Sequence, residues 1–248
     1  MELFDELKAQ IDGKNIRIVL PEGTEPRVLG AAARLQKEGI LVPVLLGQPE
    51  AIKSVALENN FDIDGIEIID MDNYPEFDDM VAAFVERRKG KVNDEEARKI
   101  LKDANFFGTM LTYMDKVDGM VSGAVHSTAD TVRPALQIVK TRPGVPRTSG
   151  SFLMLRGETR YLFADCAINI ELDAEGLAGV AVESARMAKM FGIDPKVAML
   201  SLSTKGSAKH DLITKVQDAT RMAKELAPDM VIDGELQFDA AVSDTVAK

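Results

Sequence analysis

Strand-like apolar runs and helix-periodic segments alternate along most of this chain, and that order constrains its fold more than any other feature. The strand-like runs of the first half lie at 16–20, 41–46, 66–70 and 120–122. The helical segments between them lie at 25–37, 49–59, 75–88, 94–103 and 106–114. Parallel strands need a long crossover connection, usually a helix. The order therefore predicts a parallel sheet with helices on both faces.

The order changes after the stretch 142–150, which is rich in proline and glycine. Residues 151–155 and 160–168 flank the turn Arg156-Gly-Glu-Thr159 and predict an antiparallel hairpin. Alternation then resumes, with helices expected at 174–191 and 208–226 and strands at 197–202 and 230–233. The stretch before the hairpin is accordingly the best domain boundary.

Composition bounds the class of protein. With 248 residues, 46% of them hydrophobic, the chain can bury two cores, and we predict domains at 1–146 and 147–248. Its 40 acidic and 30 basic residues argue against a general nucleic-acid surface. The absence of a long apolar run predicts no membrane span, and the acidic N-terminus does not resemble a secretory signal. The single cysteine, Cys166, fits a reducing cytoplasm.

Positive charge is concentrated between residues 131 and 164, where Glu158 is the one acidic residue. The basic residues of this stretch are Arg133, Lys140, Arg142, Arg147, Arg156 and Arg160. In a chain of net charge −10, such an excess indicates either a solvated basic face or a site for a small polyanion.

The segment from Ser127 to Pro134 joins a predicted strand to a predicted helix. The helix begins either at Pro134, because proline favours the first helical position, or earlier, with Ser127 or Thr128 as its cap and a kink at the proline. Both versions place free backbone N–H groups, two hydroxyls and the guanidinium of Arg133 at a helix N-terminus, which suits phosphate. Ordinary capping beside a surface arginine is the competing interpretation.

Other candidate residues give weaker signals. The loop Ser203–Ser207 is either a second phosphate-type loop or a helix start capped by Ser207, and it lacks the spacing of a nucleoside-triphosphate loop. Cys166 is expected mid-strand as a buried, inert thiol. His126 either orients the neighbouring loop or is a bystander, and two isolated histidines predict no zinc site. Asp165 and Asp233 are either ligands or hydrogen-bond partners.

The segment SGAVHSTADTVRPALQIVKTRPG closely resembles the core motif of the phosphate acetyltransferase (phosphotransacetylase) family. Shorter stretches resemble the same family, namely RIVLPEGTEPRVLGAA, ERRKGK, LFADCAINI, LSLSTKGSA and VIDGELQFDAA. The resemblance implies two α/β domains with largely parallel, doubly wound sheets, of the isocitrate/isopropylmalate dehydrogenase-like type, and a cleft between them. It also implies a homodimer.

The family's reaction is reversible acetyl transfer between coenzyme A and inorganic phosphate. The resemblance implies direct attack of the coenzyme A thiolate on acetyl phosphate, with coenzyme A as a substrate and neither a metal nor a further cofactor. The family's phosphate-binding arginine falls on Arg133, with Ser127 and Thr128 as hydroxyl partners. An earlier catalytic arginine falls on Arg87, with Arg88 as the alternative register. The expected partners are therefore acetyl-CoA, coenzyme A, phosphate and acetyl phosphate.

One departure from the family concerns the base that activates the thiol. In the family, a Ser-Arg pair and a nearby aspartate lie in a C-terminal segment, and no such segment precedes Lys248. We therefore expect a truncated member with reduced or no activity. Alternatives are a phosphate butyryltransferase or another phosphate acyltransferase and, in a different class, a non-catalytic acetyl-CoA-sensing domain. A metal-dependent decarboxylating dehydrogenase would need an aspartate cluster, and the sequence has none at suitable spacing.

Overall fold

The computed structural model describes residues 3–145 and 147–246. The chain divides into two compact units between Lys140 and Thr141. Pro146, the last residue of the first predicted domain, lies outside the described residues. No helix within the described ranges is both long enough and apolar enough to cross a membrane.

The first unit contains a four-stranded parallel sheet in the order β3-β2-β1-β4. Its strands are β1 (Arg17–Leu20), β2 (Val42–Leu46), β3 (Glu67–Ile69) and β4 (Gly119–Met120). Its helices are α1 (Leu3–Ile11), α2 (Pro26–Lys37), α3 (Pro49–Glu58), α4 (Phe77–Arg88), α5 (Asp94–Ile100), α6 (Ala104–Tyr113) and α7 (Thr128–Ile138). The predicted parallel α/β architecture is confirmed, although α4 begins at Phe77 rather than at Pro75.

Both faces of this sheet are buried, because successive side chains of a strand point to opposite faces. Val19 and Val44 belong to one core, which they share with buried residues of α4, α5, α6 and α7. Their neighbours Leu20 and Leu45 belong to a second core, formed with α2 and α3. The sheet is therefore covered by helices on each side, as the alternating sequence predicts.

The strand order creates a switch point between β1 and β4. The chain leaves β1 through α2 to reach β2 on one side, while β4 pairs with β1 on the other side. The loops after these two strands, at 21–25 and 121–127, therefore diverge at the carboxyl edge of the sheet. Open α/β sheets bind their ligands in the crevice at such a point.

Helix α7, which follows β4, begins early and contains Pro134. Ser127 is its N-cap, so a start at Pro134 is wrong and the earlier start is correct. Proline has no N–H to donate to the carbonyl of Asp130, and the fully buried Asn105 lies near that carbonyl instead, with its Nδ2 donating at 3.5 Å. Asn105 Oδ1 accepts a hydrogen bond from Ser122 Oγ at 2.6 Å, which ties it to the end of β4.

The second unit contains an antiparallel hairpin of β5 (Ser151–Arg156) and β6 (Thr159–Ala164), as predicted. The remaining elements are α8 (Ala174–Met190), β7 (Lys196–Leu200), α9 (Asp211–Leu226), β8 (Val231–Leu236) and α10 (Phe238–Val242). Strands β7 and β8 pair in parallel, and α8 and α9 pack against them through a small apolar core. Helix α9 is capped by His210, so the expected capping role of Ser207 is wrong.

Gly23 allows a close approach between the loop after β1 and the end of β2. A Cβ atom at this position would lie 2.4 Å from the backbone oxygen of Leu46 and 2.9 Å from Ile52 Cδ1. We predict that Gly23→Ala lowers the free energy of unfolding by about 1–3 kcal/mol, because backbone must move. Gly179→Ala in α8 is the matched control, since its Cβ would have open space. Urea denaturation of both variants checks this, and equal stability of the two would contradict it.

Candidate functional site

A buried glutamate organises the two loops at the switch point. Glu22, which directly follows β1 and Pro21, is 6% exposed. Its Oε2 accepts hydrogen bonds from the backbone N–H groups of Gly123 (3.1 Å) and Ala124 (2.8 Å). Its Oε1 accepts from the N–H groups of Val125 (2.8 Å) and His126 (3.0 Å), and the His126 ring Nδ1 lies 2.6 Å away. One carboxylate therefore holds four consecutive backbone amides and a ring nitrogen.

These contacts determine the ionisation of Glu22. Burial by itself would raise its pKa, but the hydrogen bonds from Val125, Ala124 and His126 outweigh burial and lower the pKa to about 2. The carboxylate is consequently ionised throughout the neutral and mildly acidic range.

A second contact closes the same pair of loops. Glu25 caps α2 by accepting hydrogen bonds from the N–H groups of Arg27 and Val28 at 2.9 and 3.1 Å. It also holds Arg27 Nε at 2.7 Å, and Arg27 Nη2 donates to the carbonyl of Ala124 at 3.0 Å. The loop after β4 is thus bound through both its N–H groups and a carbonyl by residues that follow β1.

The amides of the loop before α7 are occupied, because Glu22 accepts hydrogen bonds from the four N–H groups of residues 123–126. The free N–H groups expected from the sequence belong to the segment that begins at Ser127. The amides of Thr128 and Ala129, in the first turn of α7, have no intrahelical acceptor and remain directed out of the helix end. An anion at this end of α7 would meet the helix's first turn rather than the preceding loop.

Asp130 connects Ser127 and Arg133. Ser127 Oγ donates to Asp130 Oδ2 at 2.6 Å and accepts from the Asp130 N–H at 3.2 Å. The other carboxylate oxygen of Asp130 lies 3.8 Å from Arg133 Nη2, in a pair whose side chains are about half exposed. The structure therefore brings Ser127 and Arg133 to one carboxylate, and exposed Thr128 lies next to Ser127 in the same turn.

Arg87 lies at the opposite end of α7. Its Nε donates to the carbonyl of Ile138 at 2.5 Å and its Nη2 to that of Val139 at 2.9 Å. Its guanidinium also lies 5.0 Å from the ring centre of Tyr113. Since α7 rises about 16 Å between Ser127 and Ile138, the structure does not bring Arg87 to the Ser127–Arg133 group.

A cluster of cations surrounds Arg87, and we call it the basic cluster. Its members are Arg87, Arg88, Lys89, Lys91 and Lys140. Desolvation lowers the pKa of Lys140, and the positive charges of the other four lower it further. In the second unit, Arg142 pairs with Glu183, Arg147 pairs with Asp173, and Arg160 Nη1 donates to the carbonyl of Phe191 at 3.0 Å.

The loop Ser203–Ser207 in the second unit repeats the arrangement around Glu22. Glu235, 3% exposed, accepts hydrogen bonds from the N–H of Gly206 at 2.7 Å and from Ser203 Oγ at 3.1 Å. Lys205 Nζ donates to Asp233 at 2.5 Å, so Asp233 is a hydrogen-bond partner within the protein. The loop's lysine and one of its central amides are therefore already engaged.

Cys166 does not lie in a strand, because β6 ends at Ala164. Its Sγ donates to the carbonyl of Phe163 at 3.3 Å, and its side chain is partly exposed, so the expectation of a buried mid-strand thiol is wrong. Neighbouring Asp165 accepts hydrogen bonds from the N–H of Gly150 at 2.6 Å and from Asn169, and its pKa is lowered because these bonds outweigh burial. Among the described residues, no three His, Cys, Asp or Glu side chains form a group suited to a metal ion.

The comparisons with known proteins agree with one another. A family model described as phosphate acetyl/butaryl transferase matches residues 2–248. The phosphate acetyltransferase of Staphylococcus epidermidis is 56% identical, with the match covering 100% of this chain and 77% of that protein.

Two solved structures are similarly close. A phosphotransacetylase from Streptococcus pyogenes superposes with a TM-score of 0.94 at 55% identity, covering 99% of this chain and 75% of that one. The EutD phosphotransacetylase from Staphylococcus aureus superposes with a TM-score of 0.91 at 54% identity, covering 99% and 76%. The chain therefore spans about three quarters of the length of these relatives.

Glu22 gives the site a defined pH dependence. Because its pKa is lowered from 4.5 to about 2 in the folded state, its stabilisation is complete above 4.5 and is lost as the pH falls toward 2. The shift corresponds to about 3 kcal/mol of unfolding free energy. We predict that Glu22→Gln removes this part of the acid sensitivity, whereas Glu50→Gln, at an exposed surface position, retains it. Urea denaturation at stepped pH measures the difference, and equal slopes for the wild type and Glu22→Gln would contradict the assignment.

Proposed function

Because the chain belongs to the phosphate acetyl/butyryl transferase family, we propose that Ser127, Thr128 and Arg133 bind the phosphate group in its reaction. The family transfers an acetyl group between acetyl-CoA and phosphate and so forms coenzyme A and acetyl phosphate. The curated relatives that cover the whole chain at 53–56% identity are named phosphate acetyltransferases.

The observation that carries this proposal is the bridging carboxylate of Asp130. Its two oxygens contact Ser127 Oγ at 2.6 Å and approach Arg133 Nη2 to 3.8 Å, so a single anion of this width spans both groups. Phosphate has a similar spacing of oxygens and more charge, and arginine binds two phosphate oxygens at once. The first-turn amides of α7 and the Thr128 hydroxyl add donors at the same helix end.

Phosphate must displace Asp130 from Arg133. The pair is long and about half exposed, and ion pairs of this kind contribute little stability. Ser127 Oγ caps the first turn by accepting from the backbone N–H of Asp130, so the Asp130 carboxylate can turn away from Arg133 while the cap stays in place. Phosphate can then take the position of the carboxylate beside the guanidinium.

These residues would act on the charge that moves during acetyl transfer. In one direction, a phosphate oxygen attacks the thioester carbonyl of acetyl-CoA, the C–O bond forms, the C–S bond breaks and the thiolate leaves. In the other direction, the thiolate attacks the carbonyl of acetyl phosphate and phosphate leaves. Arg133 and the hydroxyls would stabilise the negative charge on phosphate and on the tetrahedral oxygen, a role suited to preorganised donors.

The direct reaction needs no acyl-enzyme intermediate. Cys166 donates its Sγ–H to a backbone carbonyl, and no described side chain that could serve as its base contacts it in the hydrogen bonds of this region. We therefore propose that coenzyme A provides the reacting thiol. This chemistry needs coenzyme A as a substrate and no further cofactor.

The basic cluster is a suitable place for the phosphates of coenzyme A. Coenzyme A is a polyanion, and five cations at the ends of α4 and α7 give the first unit a local positive field in a chain of net charge −10. Arg87 is central to this cluster and also holds the last carbonyls of α7. We propose that Arg87 acts in the reaction by binding coenzyme A from this position.

The homodimer and the cytoplasmic location expected from the sequence stay predictions. Apolar side chains on β5 support self-association, because Phe152, Met154 and Leu155 are 58%, 44% and 49% exposed. The two-domain division at 146/147 and the likeness to isocitrate and isopropylmalate dehydrogenases likewise stay predictions.

Arg133→Ala tests the phosphate site. In a chain extended through the family's C-terminal Ser-Arg segment, we predict a loss of about 10²-fold or more in kcat/KM for phosphate, the usual effect of removing one donor to developing charge. Calorimetry with inorganic phosphate should show weaker binding in parallel, while the unfolding free energy changes little because the side chain is 57% exposed. Arg98→Ala is the control, because this guanidinium pairs with Asp78 and Asp94 and has no hydrogen bond to the described residues of α7. Phosphate affinity equal to the wild type would overturn the proposal.

Substitutions at Arg87 and Arg88 test the binding of coenzyme A and show which of the two arginines corresponds to the family's earlier arginine. We predict that Arg87→Ala raises KM for coenzyme A about tenfold, because charge-assisted contacts are worth about 1.5–3 kcal/mol, and leaves phosphate affinity unchanged. Arg88→Ala should have the smaller effect. Unfolding curves for both variants separate the loss of the α7 contacts from the loss of binding, and a larger effect at Arg88 would move the role by one residue.

A further inference from the structure

We propose that Glu22 is a positioning residue for acetyl transfer: its carboxylate acts as a built-in anion that holds the start of α7 in the phosphate-binding conformation. The proposal rests on the proposed function, since it concerns the site formed by Ser127, Thr128 and Arg133. Glu22 itself is buried against the loop, and its carboxylate faces the loop's amides rather than the exposed end of α7.

The geometry makes the position of Ser127 depend on Glu22. Both oxygens of the carboxylate are occupied, one by Gly123 and Ala124 and the other by Val125 and His126. His126, bound through its backbone N–H and its ring, directly precedes Ser127, whose Oγ caps α7. Movement of the four amides would therefore displace the cap and, with it, the first turn that carries Thr128.

The charge of Glu22 matters as much as its shape. Successive backbone N–H groups that converge on one point form an anion-binding concavity. Glu22 fills this concavity, so the four amides stay directed at one point and Ser127, which follows them, stays where it caps α7.

The expected effect of removing the side chain is on binding rather than on folding alone. Glu22→Ala leaves four amides and the His126 ring without their acceptor, and a free carboxylate can refill the space. Displacement of the first turn of α7 removes a hydrogen bond to a charged ligand, and the loss of one such bond weakens binding about 10–100-fold. We therefore expect Glu22→Ala to weaken the binding of inorganic phosphate by about this factor and to raise KM for phosphate more than it lowers kcat.

Chemical rescue is the decisive measurement. Calorimetry with inorganic phosphate is performed on the wild type and on Glu22→Ala, with and without sodium formate, whose carboxylate matches the group removed. We expect saturable recovery of phosphate affinity in Glu22→Ala and no gain in the wild type. Glu22→Gln keeps the side chain's length but presents an amide NH₂ to the N–H groups, so we expect weak binding that formate does not restore.

Asn93→Ala is the control for destabilisation. Asn93 forms the capping box of α5 in the same unit and has no hydrogen bond to the loop, so its loss lowers stability without moving the site. We expect wild-type phosphate affinity for this variant. A loss of affinity in Asn93→Ala equal to that in Glu22→Ala would reduce the role of Glu22 to general stability and overturn the proposal.

The outcomes separate this inference from the proposed function. Normal phosphate affinity in Glu22→Ala, or in Glu22→Gln where the alanine variant fails to fold, would overturn the positioning role. In Glu22→Ala, weak binding that formate leaves unchanged would overturn it as well, because the missing carboxylate would not be the cause. Wild-type phosphate affinity in Arg133→Ala would instead contradict the proposed phosphate site itself. Weak phosphate binding in Arg133→Ala together with wild-type affinity in Glu22→Ala would support the phosphate site and contradict only the role of Glu22.

Discussion

The contact between the Glu22 carboxylate and the amides of 123–126 is the interaction on which the switch-point geometry depends. A buried carboxylate is costly unless its lone pairs are satisfied, and here four N–H groups and a ring nitrogen satisfy them. The contact joins residues more than 100 positions apart and sets where the loop after β4 ends. The cap at Ser127, and therefore the direction of α7, follows from it.

The second unit uses the same physical solution in a different strand arrangement. Glu235 lies in β8 and binds the loop that follows its parallel neighbour β7, as Glu22 follows β1 and binds the loop after β4. Turns at the carboxyl edge of a parallel sheet expose amides that need acceptors. In both units a glutamate from the adjacent strand or its end provides one, so each loop is held by hydrogen bonds from within the protein.

The sequence predicts the elements much better than it predicts these contacts. Alternation of apolar runs and helical periods is local, and the parallel sheet and the hairpin follow from it. Within α7, Asn105 approaches the Asp130 carbonyl that Pro134 leaves without a partner, and no local pattern shows that contact. Glu22 was missed for the same reason. One feature of the sequence could have indicated its role: Glu22 is a carboxylate between a buried strand and Gly23, at an edge of the sheet where amides need an acceptor.

The distribution of charge shows how an acidic protein can serve anionic substrates. Several of its carboxylates are directed inward onto amides, as at Glu22, Asp165 and Glu235, where the hydrogen bonds lower their pKa despite burial. Such carboxylates neutralise the partial positive charge of the loops, whereas the lysines of the basic cluster at the far end of α7 are exposed. Net charge is therefore a poor guide to this site. An anion approaching α7 responds to the local field, which at short range is set by the nearby guanidinium and ammonium groups rather than by distant, screened acids.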